Sequence, residues 1–261
     1  MSMQNKKVVC FVSLTYVITL LFFVILEVMG GRANSISENI IGLSMVFPFI
    51  SVIIVQKFIF KGKLKGLLGI SFRPNIWYLF SILVPIIMAC FINLFSIIEF
   101  EINIFTQKEF ITNILIGLSI ASASAIIEEL AWRGFLFNEL KLLGKLKSSL
   151  IIAAIWALWH TPVTIWYKYP DDPLEGAIIN FIVMFVISII ITYIRDKSES
   201  IFACALIHGM FNTMILSGNM NDFKIVLIKI LLGILVISLL LIYDFYRGNT
   251  YIKQTNLINK Y

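Results

Sequence analysis

The stretch from Val8 to Met29, VVCFVSLTYVITLLFFVILEVM, holds a single ionisable acid, Glu27, close to its end and no basic residue. A helix that crosses the roughly 30 Å hydrocarbon core of a bilayer needs about 20 predominantly apolar residues, and this run supplies them. Lys6 and Lys7 precede it as they would in a signal peptide. The run nevertheless exceeds the roughly 7–15 residues of a signal h-region and offers no convincing small-x-small cleavage site, so it reads as a retained first transmembrane helix.

The same test applied outward finds further apolar runs at 40–59, 76–98, 110–132, 149–167, 177–194, 201–216 and 225–243. The seventh is short and interrupted by His208 and Asn212, so hydropathy alone would pass over it. None alternates in the manner of a membrane barrel. The composition agrees: 59% of residues are hydrophobic and 14% charged, against about 25% charged in a soluble domain. A soluble fold of this length has too little interior to hide that much apolar surface. The loops are too short to hold a separate module, so residues 1–261 read as one all-α domain, a polytopic membrane bundle of about eight transmembrane helices with its motif-bearing core at about 110–217. No tandem repeat or low-complexity tract interrupts it.

Charge placement gives a second reading of the helix count. Lys6, Lys7, Lys57, Lys61, Lys63, Lys65, Arg73, Arg133, Lys141, Lys145, Lys147, Arg195, Lys197, Arg247, Lys253 and Lys260 fall on one side of the enumerated helices. Only Arg32, Lys108, Lys168 and Lys224 fall on the other, with Lys229 inside the last helix. By the positive-inside rule this bias puts both termini in the cytoplasm. Lys229 and Asp244 stand near helix ends, where they can snorkel. The net charge of +6 belongs to these loops, gives no reason to expect a nucleic-acid partner, and sets the basic loop 57–65 against anionic lipid headgroups. Cys10, Cys90 and Cys204 lie within apolar runs and form no CxxC pair, which suggests small buried residues rather than disulfides or thiolate metal ligands.

Ionisable groups inside a span cost about 2.5 kcal/mol or more each on insertion scales, so each needs a partner or a task. Glu128 and Glu129 lie in the fourth run with Arg133 directly at its end, His160 in the fifth, His208 and Asn212 in the seventh. Glu129 and Arg133 are four apart with the acid first, the favourable order for a helical ion pair, so Glu129 reads as structurally engaged. Glu128 points about 100° away around the helix and is the better general base. His208 and Asn212 share a face. Counted from the cytoplasmic ends of the runs, Glu128, His208 and His160 lie roughly 8, 12 and 18 Å deep, in one layer. The small residues 121–125 allow close helix approach. A carboxylate, two imidazoles and an amide can hold and deprotonate a water directly, or a divalent metal such as zinc held by the glutamate and histidines can lower the water's pKa; the residues leave the cofactor open. Peptide hydrolysis is the natural reaction, with proton or ion transport the competing use of such residues and no inverted repeat to favour it. Trp156 and Trp159 read as packing residues or as walls that keep the pocket dry.

Three motifs, Glu128-Glu129-Leu-Ala-Trp-Arg133, Trp156-Ala-Leu-Trp-His160 and His208-Gly-Met-Phe-Asn212, resemble the EExxxR, aromatic-xxx-His and His-xxx-Asn/Asp signatures of the CAAX-protease and bacteriocin-processing family of intramembrane proteases (CPBP, or Abi). The resemblance covers residues 114–216. It implies an intramembrane CAAX prenyl protease-like endopeptidase in which Glu128 and His160 activate water and His208 and Asn212 stabilise the oxyanion, with Glu129 and Arg133 in support. Whether it works as a metalloprotease stays open. It also implies a peptide or lipidated, leader-bearing peptide as substrate and the lipid bilayer as setting, while the compact loops and lysine-rich basic residues favour a multi-pass bacterial plasma-membrane location. The alternative is a non-proteolytic bacteriocin self-immunity protein that binds a peptide in the membrane.

Overall fold

In the computed structural model, every regular element among the described residues is helical. Residues 2–64, 66, 68–101, 103–217 and 223–258 are described, with side chains through residue 247. Of the basic residues above, Lys65 and Lys260 lie outside the described residues, as does the side chain of Lys253. The helices are α1 (Met3–Val28), α2 (Ser35–Ile59), α3 (Ile76–Phe100), α4 (Gln107–Leu143), α5 (Lys145–Lys168), α6 (Pro173–Ser198), α7 (Ile201–Met214) and α8 (Phe223–Ile258). All but α7 contain a stretch long and apolar enough to cross a bilayer. The chain is a multi-pass membrane protein built as a helical bundle.

Local chemistry sets the helix starts. Asn75 caps α3 by accepting from the Trp77 amide, Thr106 and Glu109 form a reciprocal capping box on α4, and Ser200 caps α7 through the Phe202 amide. Each satisfies amides that the first turn leaves without partners. The first turn of α7 is tied further, because the Ser200 hydroxyl also donates to the Ser71 carbonyl at 2.6 Å.

The shortest helix is the most enclosed. Eleven of the fourteen residues of α7 are buried, and it packs against α3, α4 and α6. Lipid offers no hydrophobic drive for helix association, so close backbone approach and polar contacts must hold such a bundle together. Gly209 makes that approach possible, since a Cβ there would stand 2.4 Å from the Ser122 nitrogen of α4 and 2.6 Å from its Cα. Gly134 does the same where the Leu68 backbone passes under α4.

Four expectations are corrected. Helix α4 does not end near residue 132 but continues to Leu143, with π-helical turns at Gly117–Ala121 and Leu130–Leu136. Arg133 is therefore no interfacial loop cation; it is fully buried in mid-helix. Lys229 does not snorkel but is buried at 7% exposure, whereas Asp244 is tied to Lys197 and Tyr193. Cys204 is buried as expected, but Cys10 is only half-buried and Cys90 faces outward.

Because backbone atoms block any added side chain at Gly209, Gly209→Ala should destabilise the bundle by about 1–3 kcal/mol, the usual overpacking cost. A lowered unfolding midpoint in detergent, with membrane insertion intact, is the expected result.

Candidate active site

Two neighbouring glutamates on α4 turn to different partners. Glu129, 0% exposed, directs Oε1 at both Arg133 Nη1 (3.0 Å) and His208 Nδ1 of α7 (2.7 Å). Glu128 is buried as well, and its Oε2 accepts from the Trp156 indole Nε1 of α5 at 3.3 Å. The i,i+4 pair expected from the sequence is present, and the offset between adjacent helical positions sends the second carboxylate elsewhere. The wide π-helical turn that begins at Leu130 carries Arg133, and such turns recur where a helix must re-aim functional side chains.

Arg133 reaches across to α6, where Nη2 donates to the Ser188 hydroxyl at 2.7 Å. Its guanidinium lies 4.9 Å from the Trp156 ring centroid. One arginine thus links α4, α6 and, through Glu129, α7, with the indole of α5 against its face. Inside a bilayer such a cation is costly alone, and acid, hydroxyl and aromatic face offset that cost together.

Trp156 is the common wall of the site. Its ring meets His160 edge-on at 4.5 Å between centroids and His208 at 5.3 Å, while its Nε1 holds Glu128. His160 sits where the α-helical part of α5 ends at Trp159. Its own amide bonds to the Ala157 carbonyl, a residue short of the α-helical partner, and the ring Nδ1 lies 2.8 Å from the Trp156 carbonyl. A carbonyl can only accept, so Nδ1 carries the hydrogen and Nε2 is left as the acceptor of the neutral ring. The same reasoning applies to His208, whose Nδ1–H donates to the Glu129 carboxylate.

The structure therefore brings Glu128, His160 and His208 to one indole and joins Glu129, Arg133 and His208 in one bonded group. Asn212 is half-buried one turn beyond His208 and makes no hydrogen bond to the other motif residues. From the Leu143 end of α4 and the Lys145 start of α5, Glu128 and His160 each stand roughly 20 Å along their helices, level with one another. Glu128 lies deeper than the run boundary at 132 implied, because Arg133 is an internal partner and marks no interface. No group of three His, Cys, Asp or Glu side chains among the described residues converges as metal ligands do, so Glu128 and the two histidines do not fit a shared metal. Sequence reasoning missed Ser188 and the donor role of the Trp156 indole. Ser188 was open to detection as one of the few polar residues in the apolar run 177–194.

All three motifs lie inside residues 110–214, which match the family model described as Type II CAAX prenyl endopeptidase Rce1-like. Over 143 residues the chain is 28% identical to the CAAX prenyl protease 2 of Methanococcus maripaludis, an alignment covering 52% of this chain and 52% of that protein. The chain thus spans about half the length of the curated relative it matches.

Removing one partner from a buried ion pair costs about 3–5 kcal/mol, because the other charge stays behind. Arg133→Met should accordingly lower the unfolding midpoint sharply, and Glu129→Gln with Arg133→Met should recover part of the loss. Midpoints measured in one detergent decide this; equal losses in both variants would contradict it.

Proposed function

We propose, with the CAAX-protease and bacteriocin-processing family that both matches support as the premise, that this chain is an intramembrane endopeptidase. The carrying observation is the meeting of Glu128, His160 and His208 at the Trp156 indole. Hydrolysis needs a base, a means of orienting water and a cation or donor for the oxyanion within one pocket. The relative's name, CAAX prenyl protease 2, supports a substrate that is a lipidated peptide held at the membrane, and the lysine-rich loops favour a bacterial plasma membrane.

In this reading Glu128 takes a proton from a water that His160 Nε2 also holds, and the hydroxide adds to the scissile carbonyl. The resulting oxyanion lies between the Asn212 amide and His208. His208, whose Nδ1–H is held by Glu129, serves the oxyanion as a donor from Nε2 when both ring nitrogens carry hydrogen. Glu128 then returns its proton to the departing amine as the carbon–nitrogen bond breaks. Glu129 and Arg133 act through His208 and are positioning residues.

Glu128→Ala, His160→Ala and His208→Ala should each reduce cleavage of a prenylated peptide with a CAAX-type end by at least about 100-fold, the lower range for a lost acid–base group, at equal membrane levels. Mass spectrometry of the released fragment reads the outcome. Wild-type cleavage by any one variant would remove that residue from the mechanism. Protection of cells against a bacteriocin by all three inactive variants would move the physiological role to binding and immunity.

A further inference from the structure

His160 owes its position to a break in α5, and the break is held from outside the helix. Pro162 has no N–H to return to the Leu158 carbonyl, and the His160 amide turns to Ala157, so the ladder of α5 is interrupted around the imidazole. One turn on, Thr164 holds the His160 carbonyl twice, through its amide at 3.0 Å and through its hydroxyl at 2.7 Å, and only the hydroxyl connects that carbonyl to a neighbouring helix. Thr164 in turn receives the Asn180 Nδ2 of α6 at 2.8 Å. Asn180 Oδ1 accepts from Lys168 Nζ at 3.3 Å. Thr164 and Asn180 are 1% and 4% exposed, so water does not compete for these bonds.

The chain of bonds has one possible direction. An ammonium donates and never accepts, so Lys168 obliges Asn180 to present its oxygen there and its NH₂ to Thr164. That donation occupies the Thr164 oxygen and turns the hydroxyl hydrogen onto the His160 carbonyl. The pattern steps back four residues at a time and ends at the site, because the His160 ring donates to the Trp156 carbonyl and the Trp156 indole to Glu128.

We propose that Thr164 and Asn180, oriented by Lys168, are positioning residues that clamp the broken helix α5 to α6 and thereby hold the His160 imidazole at the Trp156 wall. The inference rests on the protease reading only for the consequence in catalysis; the clamp itself has a separate readout. Thr164→Val removes the hydroxyl at constant shape, Thr164→Ser keeps it, and Asn180→Asp keeps the shape but replaces the NH₂ donor by an acceptor that competes for the Thr164 hydrogen.

Amide hydrogen exchange of detergent-solubilised full-length protein reads the clamp directly. Exchange across residues 160–168 should accelerate about tenfold in Thr164→Val and Asn180→Asp, as for the loss of one buried hydrogen bond, and stay near wild type in Thr164→Ser. Unchanged exchange in both Thr164→Val and Asn180→Asp overturns the clamp, whatever the chain catalyses. With the prenylated peptide as probe, the same two variants should lose up to about 100-fold in kcat with KM nearly unmoved, as expected for small misplacement of a catalytic group, and Thr164→Ser should restore it. If His160→Ala abolishes cleavage while Thr164→Val and Asn180→Asp retain wild-type kcat, the positioning role fails and the protease reading stands. If His160→Ala cleaves normally, the protease reading fails while exchange still judges the clamp.

Discussion

The Arg133 guanidinium is the constraint around which the bundle is arranged. A fully buried cation in a membrane helix must be surrounded before the helices can pack, and its partners come from separate elements: Glu129 one turn back on α4, Ser188 on α6 and the face of Trp156 on α5. Glu129 extends the group to His208 on α7. Each partner dictates where a helix stands and which face it turns inward. The apolar residues then fill the space that this polar group has defined, since among lipid tails they carry little preference for one neighbour over another.

The same arrangement separates two carboxylates that are adjacent in sequence. Glu129 is committed on one oxygen to an arginine and a histidine, while Glu128 accepts from an indole on one oxygen. Chemical difference between identical side chains thus comes from helical phase and the identity of the facing helix. Trp156 serves both sides, as a hydrogen-bond donor to Glu128 and as an aromatic face for Arg133, so packing and polar chemistry are not divided among different residues at this place.

Much of this was legible in the sequence because it follows from local rules. Apolar run lengths give the helices and their order, and i,i+4 spacing gives the Glu129–Arg133 pair. Where α4 ends was not legible, because Arg133 at the edge of an apolar run looks like an interfacial cation and only its tertiary partners show it to be internal. Lys229 misled in the same way. The bond from His208 to Glu129 depends on how α7 crosses α4, for which spacing within either motif carries no information. Asn180 and Ser188 stand out in 177–194 as polar residues in an apolar run, but their partners lie on other helices. The break at His160 had a sequence sign in Pro162, though not its repair by Thr164.

The shortness of α7 bears on how the protein is made. Fourteen residues reach roughly 21 Å at 1.5 Å per residue, well short of a hydrocarbon core of about 30 Å, and this segment carries an imidazole and an amide. Presented alone to the insertion machinery it has no stable resting place in lipid. Its packing partners α3, α4 and α6 all precede it in the chain, so the residues richest in polar chemistry take their place only against helices already made.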